Sequence, residues 1–195
     1  MIPRPQLVAI VLLAIVVFTG AIWISGDAVS LNWVKYLGIT IFVVATAIAL
    51  FNRYLWRLSH LQGWFVKRPH IWGTWKATLN TDWINPESGS RQAPVDAKLT
   101  IRQTHGAVHV RMSSDKSKGD LLIARIIADD DGQYRLAGIY KNEPRLNERP
   151  SSGIHYGAFL LTIDGSPNSP TRMHGHYWTD RGTKGEMALE KLAQV

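Results

Sequence analysis

The 195-residue chain has no cysteine, so it can form no disulfide and offers no thiolate for metal binding or nucleophilic attack. Its formal net charge of +7 is unevenly placed: residues 1–70 hold six basic and one acidic side chain, and the remaining 125 hold sixteen basic and fourteen acidic. Most of the excess therefore flanks the apolar N-terminal part, where attraction to anionic lipid accounts for it, and no surface for a DNA or RNA polymer is required.

The first element is Leu7 to Ile24, 18 residues without a charged side chain. The second is Trp33 to Phe51, 19 residues with Lys35 alone near its start. A helix needs about 20 apolar residues to cross the hydrocarbon core, so both runs are expected to span a membrane. The short polar connection Ser25 to Asn32, with Gly26 and Asp27, suits a tight hairpin. Trp23, Trp33, Tyr36, Tyr54 and Trp56 stand near the ends, where aromatic rings favour the interface. The first run exceeds the ~7–15 apolar residues of a cleaved signal peptide, and a second span follows at once. Arg4 precedes the first span, and Arg53, Arg57, Lys67 and Arg68 follow the second. The positive-inside rule then puts both ends in the cytoplasm. On the second run, Gly38, Ala45, Ala47 and Ala49 offer small residues for close helix packing, or are lipid-facing filler. The expected organisation is a transmembrane hairpin over 1–56, a juxtamembrane connector over 57–70 ended by Pro69, and a cytoplasmic β-domain over 71–195.

From residue 72 the apolar period is two, as in Val108, Val110 and Met112 alternating with His109 and Arg111. Eight strands are expected, at 72–79, 95–103, 107–113, 120–128, 133–141, 154–164, 172–179 and 184–192. His105-Gly106 and Asp131-Gly132 mark tight turns, and Asn85–Gly89 and Glu143–Gly153 mark longer loops. Eight sequential antiparallel strands suggest an up-and-down barrel, whose closure removes the exposed edges of an open sheet. A sandwich of seven to nine strands shares the same signals. Trp75 reads as the plug of a barrel floor. Arg181 reads either as a closure stacked on such a Trp or as a phosphate ligand.

The opening Gly73-Thr74-Trp75 looks like the first strand of lipocalin-like barrels. Ile154–Ala158 and the run Gly175–Met187, with its Tyr-x-Thr-x-Arg-x-Thr-x-Gly segment from Tyr177, complete a pattern of two helices followed by a barrel. The chain as a whole resembles the SMODS-associated, two-transmembrane, β-strand-rich effectors of CBASS anti-phage systems. The resemblance implies no catalysis. It implies a cytoplasmic barrel that senses a cyclic dinucleotide made by a partner CD-NTase-type nucleotidyltransferase. Binding would drive homo-oligomerisation in the inner membrane and its disruption, an abortive-infection output.

A cyclic dinucleotide needs stacking platforms, cationic groups for two phosphodiesters and polar groups for base edges. The candidate ligand residues are Tyr140, Asn142, Arg145, His155, Tyr156, Tyr177, Thr179, Arg181 and Thr183. Gly157 and Gly175 are candidate points of close backbone approach by the ligand. No cofactor is expected. His155, His174 and His176 form a weak zinc candidate without a carboxylate at a telling spacing, Ser151-Ser152-Gly153 lacks a nucleophile context, and Asp129–Gly132 reads as a polar turn rather than a calcium loop. The competing function is a membrane-anchored lipocalin-like barrel carrying a lipid or other apolar ligand, which would need an apolar lumen.

Overall fold

The computed structural model describes residues 4–26, 33–84 and 89–192. Of the expected loops, residues 27–32 and 85–88 lie outside the described residues. The chain divides into two compact units, Met1–Val66 and Lys67–Val195.

The first unit holds α1 (Arg4–Ser25) and α2 (Val34–Arg53). Both are long and apolar enough to cross a membrane. Their apolar side chains stay exposed, as with Val16, Trp23 and Phe42, which separates them from the core helices of a globular domain. Two single turns of 3₁₀ helix follow, Leu55–Arg57 and Ser59–Leu61. Within this unit Trp56 is fully buried, Phe65 meets Phe51 edge-on at 5.7 Å, and Gln6 Nε2 donates to the Phe65 carbonyl at 3.1 Å.

The second unit is a closed antiparallel barrel of eight strands in sequence order. They are β1 (Gly73–Thr81), β2 (Val95–Gln103), β3 (Val108–Ser114), β4 (Ser117–Ala128), β5 (Tyr134–Pro144), β6 (His155–Asp164), β7 (Arg172–Thr179) and β8 (Lys184–Lys191). The two-helix-plus-barrel fold expected from the alternation is the fold observed, and the sandwich is not. Closure is made by β1, whose Trp75 lies opposite Leu99 of β2 on one side and Lys191 of β8 on the other. Two spans differ from expectation by three residues at one end. β4 begins at Ser117 and β5 runs on to Pro144, because Ser117 pairs with Pro144 and carries the ladder past Asn142. Asn142 to Pro144 are strand, not loop, and Pro144 fits a terminal position because no further ladder donor is needed there.

One end of the barrel is sealed. Trp75, Leu99, Ile101, Leu136, Leu161, Met173 and Leu189 fill it with almost no exposure, each worth roughly 1.5–3 kcal/mol of apolar burial. Pro69 and Ile71, buried likewise, lead into β1. Gln103 holds this segment: its Oε1 accepts from the Ile71 N–H at 2.9 Å and its Nε2 donates to the Pro69 carbonyl at 2.8 Å. The Trp75 Nε1–H donates to the Ile71 carbonyl at 3.0 Å, and the Arg68 guanidinium donates to the His105 carbonyl. Trp75 is thus a floor plug. The cation over its ring is Lys191 at 5.5 Å, not Arg181, which stands in the β7–β8 turn at the opposite end.

Candidate functional site

Inward positions change chemistry along the strands. β3 presents Val108, Val110 and Met112 and then Ser114, and β1 presents Trp75, Ala77 and Leu79 and then Thr81. β5 passes from Leu136 to Tyr140 and Asn142, and β7 from Met173 to Tyr177 and Thr179. The apolar ends coincide at the floor and the polar ends at the far mouth. That mouth encloses a cavity of about 930 Å³, within the usual range for small-molecule sites. Below the mouth, the side chains of the floor fill the barrel interior.

Tyr140 and Tyr177 form the base of the cavity, both nearly fully buried. Tyr140 stacks on Phe159 with ring centres 6.3 Å apart. Burial, helped by Tyr177, pushes the Tyr140 hydroxyl up to about 12, so it is a neutral donor and acceptor at physiological pH. Asn142, buried beside them, has an Oδ1 that accepts no hydrogen bond from any described residue, an uncommon condition for a buried carbonyl. His155 Nδ1 lies 3.0 Å from the Gly153 carbonyl. A carbonyl only accepts, so in this contact Nδ1 carries a proton and donates.

The rim is cationic. Among the described residues, Arg91, Lys116 and Arg181 line it against one acid, Glu148. Arg181 Nη1 donates to Ser152 Oγ at 3.1 Å, tying the β7–β8 turn to the loop after β5. That turn is fixed by Gly182 at φ 76, a conformation natural to glycine, and by the Thr179 N–H donating to the Thr183 carbonyl at 2.9 Å. Thr179 Oγ1 and Thr183 Oγ1 are 2.6 Å apart, presenting two linked hydroxyls to the cavity.

Of the nine candidate residues, Tyr140, Asn142, His155, Tyr177, Thr179, Arg181 and Thr183 come together around this cavity. Arg145 and Tyr156 are not in its wall. The Arg145 N–H donates to the Lys116 carbonyl at 2.9 Å, which places it beside the rim. Tyr156 is on the outer face of β6, half exposed. Gly157 and Gly175 are not approach points for a ligand, because protein fills both: Tyr140 covers Gly157, and the Leu160 backbone crowds Gly175. His174 and His176 point outward, His174 pairing with Asp164 at 2.7 Å, while His155 lines the cavity. The three imidazoles therefore do not converge, and no group of three metal-ligating side chains occurs among the described residues. Arg91, Gln92, Lys116, Ser114 and Ser117 also line the mouth. Sequence reasoning missed them, although the switch from Met112 to Ser114 at an inward position was a readable sign.

A family model described as "Cap15, cyclic dinucleotide receptor domain" matches residues 66–191. A protein of Staphylococcus schleiferi named CD-NTase-associated protein 15 is 26% identical over 91% of this chain and 91% of its own. One of Yersinia aleksiciae with the same name is 27% identical over 84% of this chain and 80% of its own. The family is one of receptors rather than catalysts. With a barrel whose polar, cation-rimmed mouth falls within the matched span, the chain belongs to the Cap15 cyclic dinucleotide receptor family and is a CBASS effector of that type.

Proposed function

We propose that the open mouth of the barrel binds a cyclic dinucleotide supplied by a CD-NTase-type nucleotidyltransferase, and that binding drives self-association and disruption of the bacterial inner membrane. The observation that carries this reading is the pairing of two buried tyrosines with a rim of Arg91, Lys116 and Arg181 inside a receptor-family match. Tyr140 and Tyr177 offer faces and hydroxyls to the bases, and Arg181 offers a two-pronged donor to a phosphodiester. Asn142, His155 and the Thr179–Thr183 hydroxyl pair read base edges and sugars. Arg145, beside Lys116, adds positive potential that attracts the dianion. Tyr156 is assigned no ligand contact. No step in this scheme is catalytic.

The output rests on α1 and α2 acting as a membrane hairpin, with the basic residues at its ends favouring cytoplasmic termini and a cytoplasmic barrel. Gly38, Ala45 and Ala49 are exposed on α2 and support close approach by helices of another copy. A ligand can promote that association only by binding the associated state more tightly. Calorimetric titration of the detergent-solubilised full chain with a panel of cyclic di- and trinucleotides tests the reading. Tight binding of at least one cyclic dinucleotide is expected, and no binding by any of the panel overturns it.

A further inference from the structure

Two turns at the mouth are built alike. The β3–β4 turn reads Ser114-Asp115-Lys116-Ser117, and the β7–β8 turn reads Thr179-Asp180-Arg181-Gly182-Thr183. In each, half-buried hydroxyl residues open and close the turn, and an exposed Asp and an exposed cation stand between them. The flanking hydroxyls touch, Ser114 Oγ and Ser117 Oγ at 3.2 Å and Thr179 Oγ1 and Thr183 Oγ1 at 2.6 Å. Both hydroxyl pairs and both cations line the cavity, and neither Asp does. Asp180 instead accepts from the Tyr156 N–H at 3.1 Å. Lys116 is held on both sides of its backbone: its N–H donates to Ser114 Oγ at 3.3 Å, and its carbonyl accepts from the Arg145 N–H at 2.9 Å. In a closed barrel of eight strands in sequence order these two turns are four strands apart, so they face each other across the mouth.

We propose that the two turns are paired phosphodiester subsites: Lys116 with the Ser114–Ser117 hydroxyls takes one bridging phosphate of the bound nucleotide, and Arg181 with the Thr179–Thr183 hydroxyls takes the other. The inference rests on the reading of the mouth as a cyclic dinucleotide site and fixes how the ring lies in it. A cyclic dinucleotide closes its ring through two phosphodiesters, each with one negative charge and two non-bridging oxygens. One hydroxyl of each pair donates to the other, and the second keeps its proton for a phosphate oxygen. The cation beside it supplies a charge-assisted donor. Among the described residues no carboxylate forms an ion pair with Lys116 or Arg181, whereas Arg111 on the outer face of β3 pairs with Asp120 at 3.2 Å. Arg181 Nη1 is engaged by Ser152 Oγ, which leaves the Nε–Nη2 fork for two oxygens of one phosphate. A ligand with one phosphate engages one turn, so the facing pair favours a ring with two.

Calorimetric titration and phosphorus NMR of the detergent-solubilised full chain test the pairing, with 3′,3′-linked cyclic di-AMP, cyclic di-GMP and cyclic GMP-AMP as probes. Lys116→Gln should weaken the tightest-binding of them about tenfold or more, the loss of one charge-assisted contact. Lys118→Gln removes the same charge from an exposed position on β4, outside the cavity wall, and should leave the affinity as in the parent. In the saturated complex, Lys116→Gln should move one of the two phosphorus resonances. Arg181→Gln, or Arg181→Lys should that variant melt early, should move the other. Equal losses for Lys116→Gln and Lys118→Gln overturn the proposal, and so do shifts of the same resonance by both turn variants. If the parent binds none of the three, the functional reading falls and the subsites fall with it. If the parent binds and Lys116→Gln binds as tightly, the subsites alone fall.

Discussion

The phenol of Tyr140 lies directly across the bare backbone of Gly157, its cross-strand partner: a Cβ on Gly157 would come within 2.4 Å of the Tyr140 ring carbon and hydroxyl. The glycine makes room for the ring at the base of the cavity. Gly157→Ala is therefore expected to displace Tyr140 at a cost of about 1–3 kcal/mol, the usual range for overpacking. It should weaken nucleotide binding although Gly157 is not in the cavity wall. Thermal melts and titration of the same variant check both halves.

Ionisation of Tyr140 gives a second expectation. Its hydroxyl is pushed up to about 12 in the barrel by burial, against about 10 in an unfolded chain. The group's contribution is complete below pH ~10 and is lost as pH rises toward ~12, because the unfolded chain releases the proton first. The loss amounts to roughly 2–3 kcal/mol. Urea denaturation of the parent and of Tyr140→Phe between pH 9 and pH 11.5 should show a steeper decline for the parent.

Asn142 sets stability against binding. Its buried, unpartnered Oδ1 loses water on folding without compensation in the free chain, at about 1–3 kcal/mol. Asn142→Leu should hold or raise the melting temperature while weakening cyclic dinucleotide binding. A fall in stability with binding intact would contradict the assigned role.

At the sealed end the expectation reverses. Gln103→Leu leaves the Ile71 N–H and the Pro69 carbonyl buried without their partner. A loss of about 2–4 kcal/mol is expected from two orphaned groups. Below the melting transition, binding at the distant mouth should be unchanged, which calorimetry checks.

The strands were legible because inward and outward residues differ in polarity, as along Val108 to Met112. The tyrosines and the Tyr177–Thr183 segment were legible because aromatic and hydroxyl groups cluster near a turn. What escaped depends on contacts distant in sequence. Gln103 reads as an ordinary strand residue until the 69–71 segment folds over it. The cation on Trp75 is Lys191 because β8, not the β7–β8 turn, runs past the floor. Asn142 belongs to a strand because Ser117 extends the ladder, and the apolar run Leu121–Ile123 gives no sign that its register shifts. Arg91 and Lys116 reach the mouth from loops whose course alternation does not describe.

Hydrogen exchange on the full chain, with and without the cyclic dinucleotide that binds most tightly, tests the central claim most directly. Slowed exchange should concentrate at the Ser114–Ser117 turn, the loop after Pro144 and the Asp180–Thr183 turn. Protection confined to the sealed end, around 67–72 and 104–107, would contradict a binding site at the mouth.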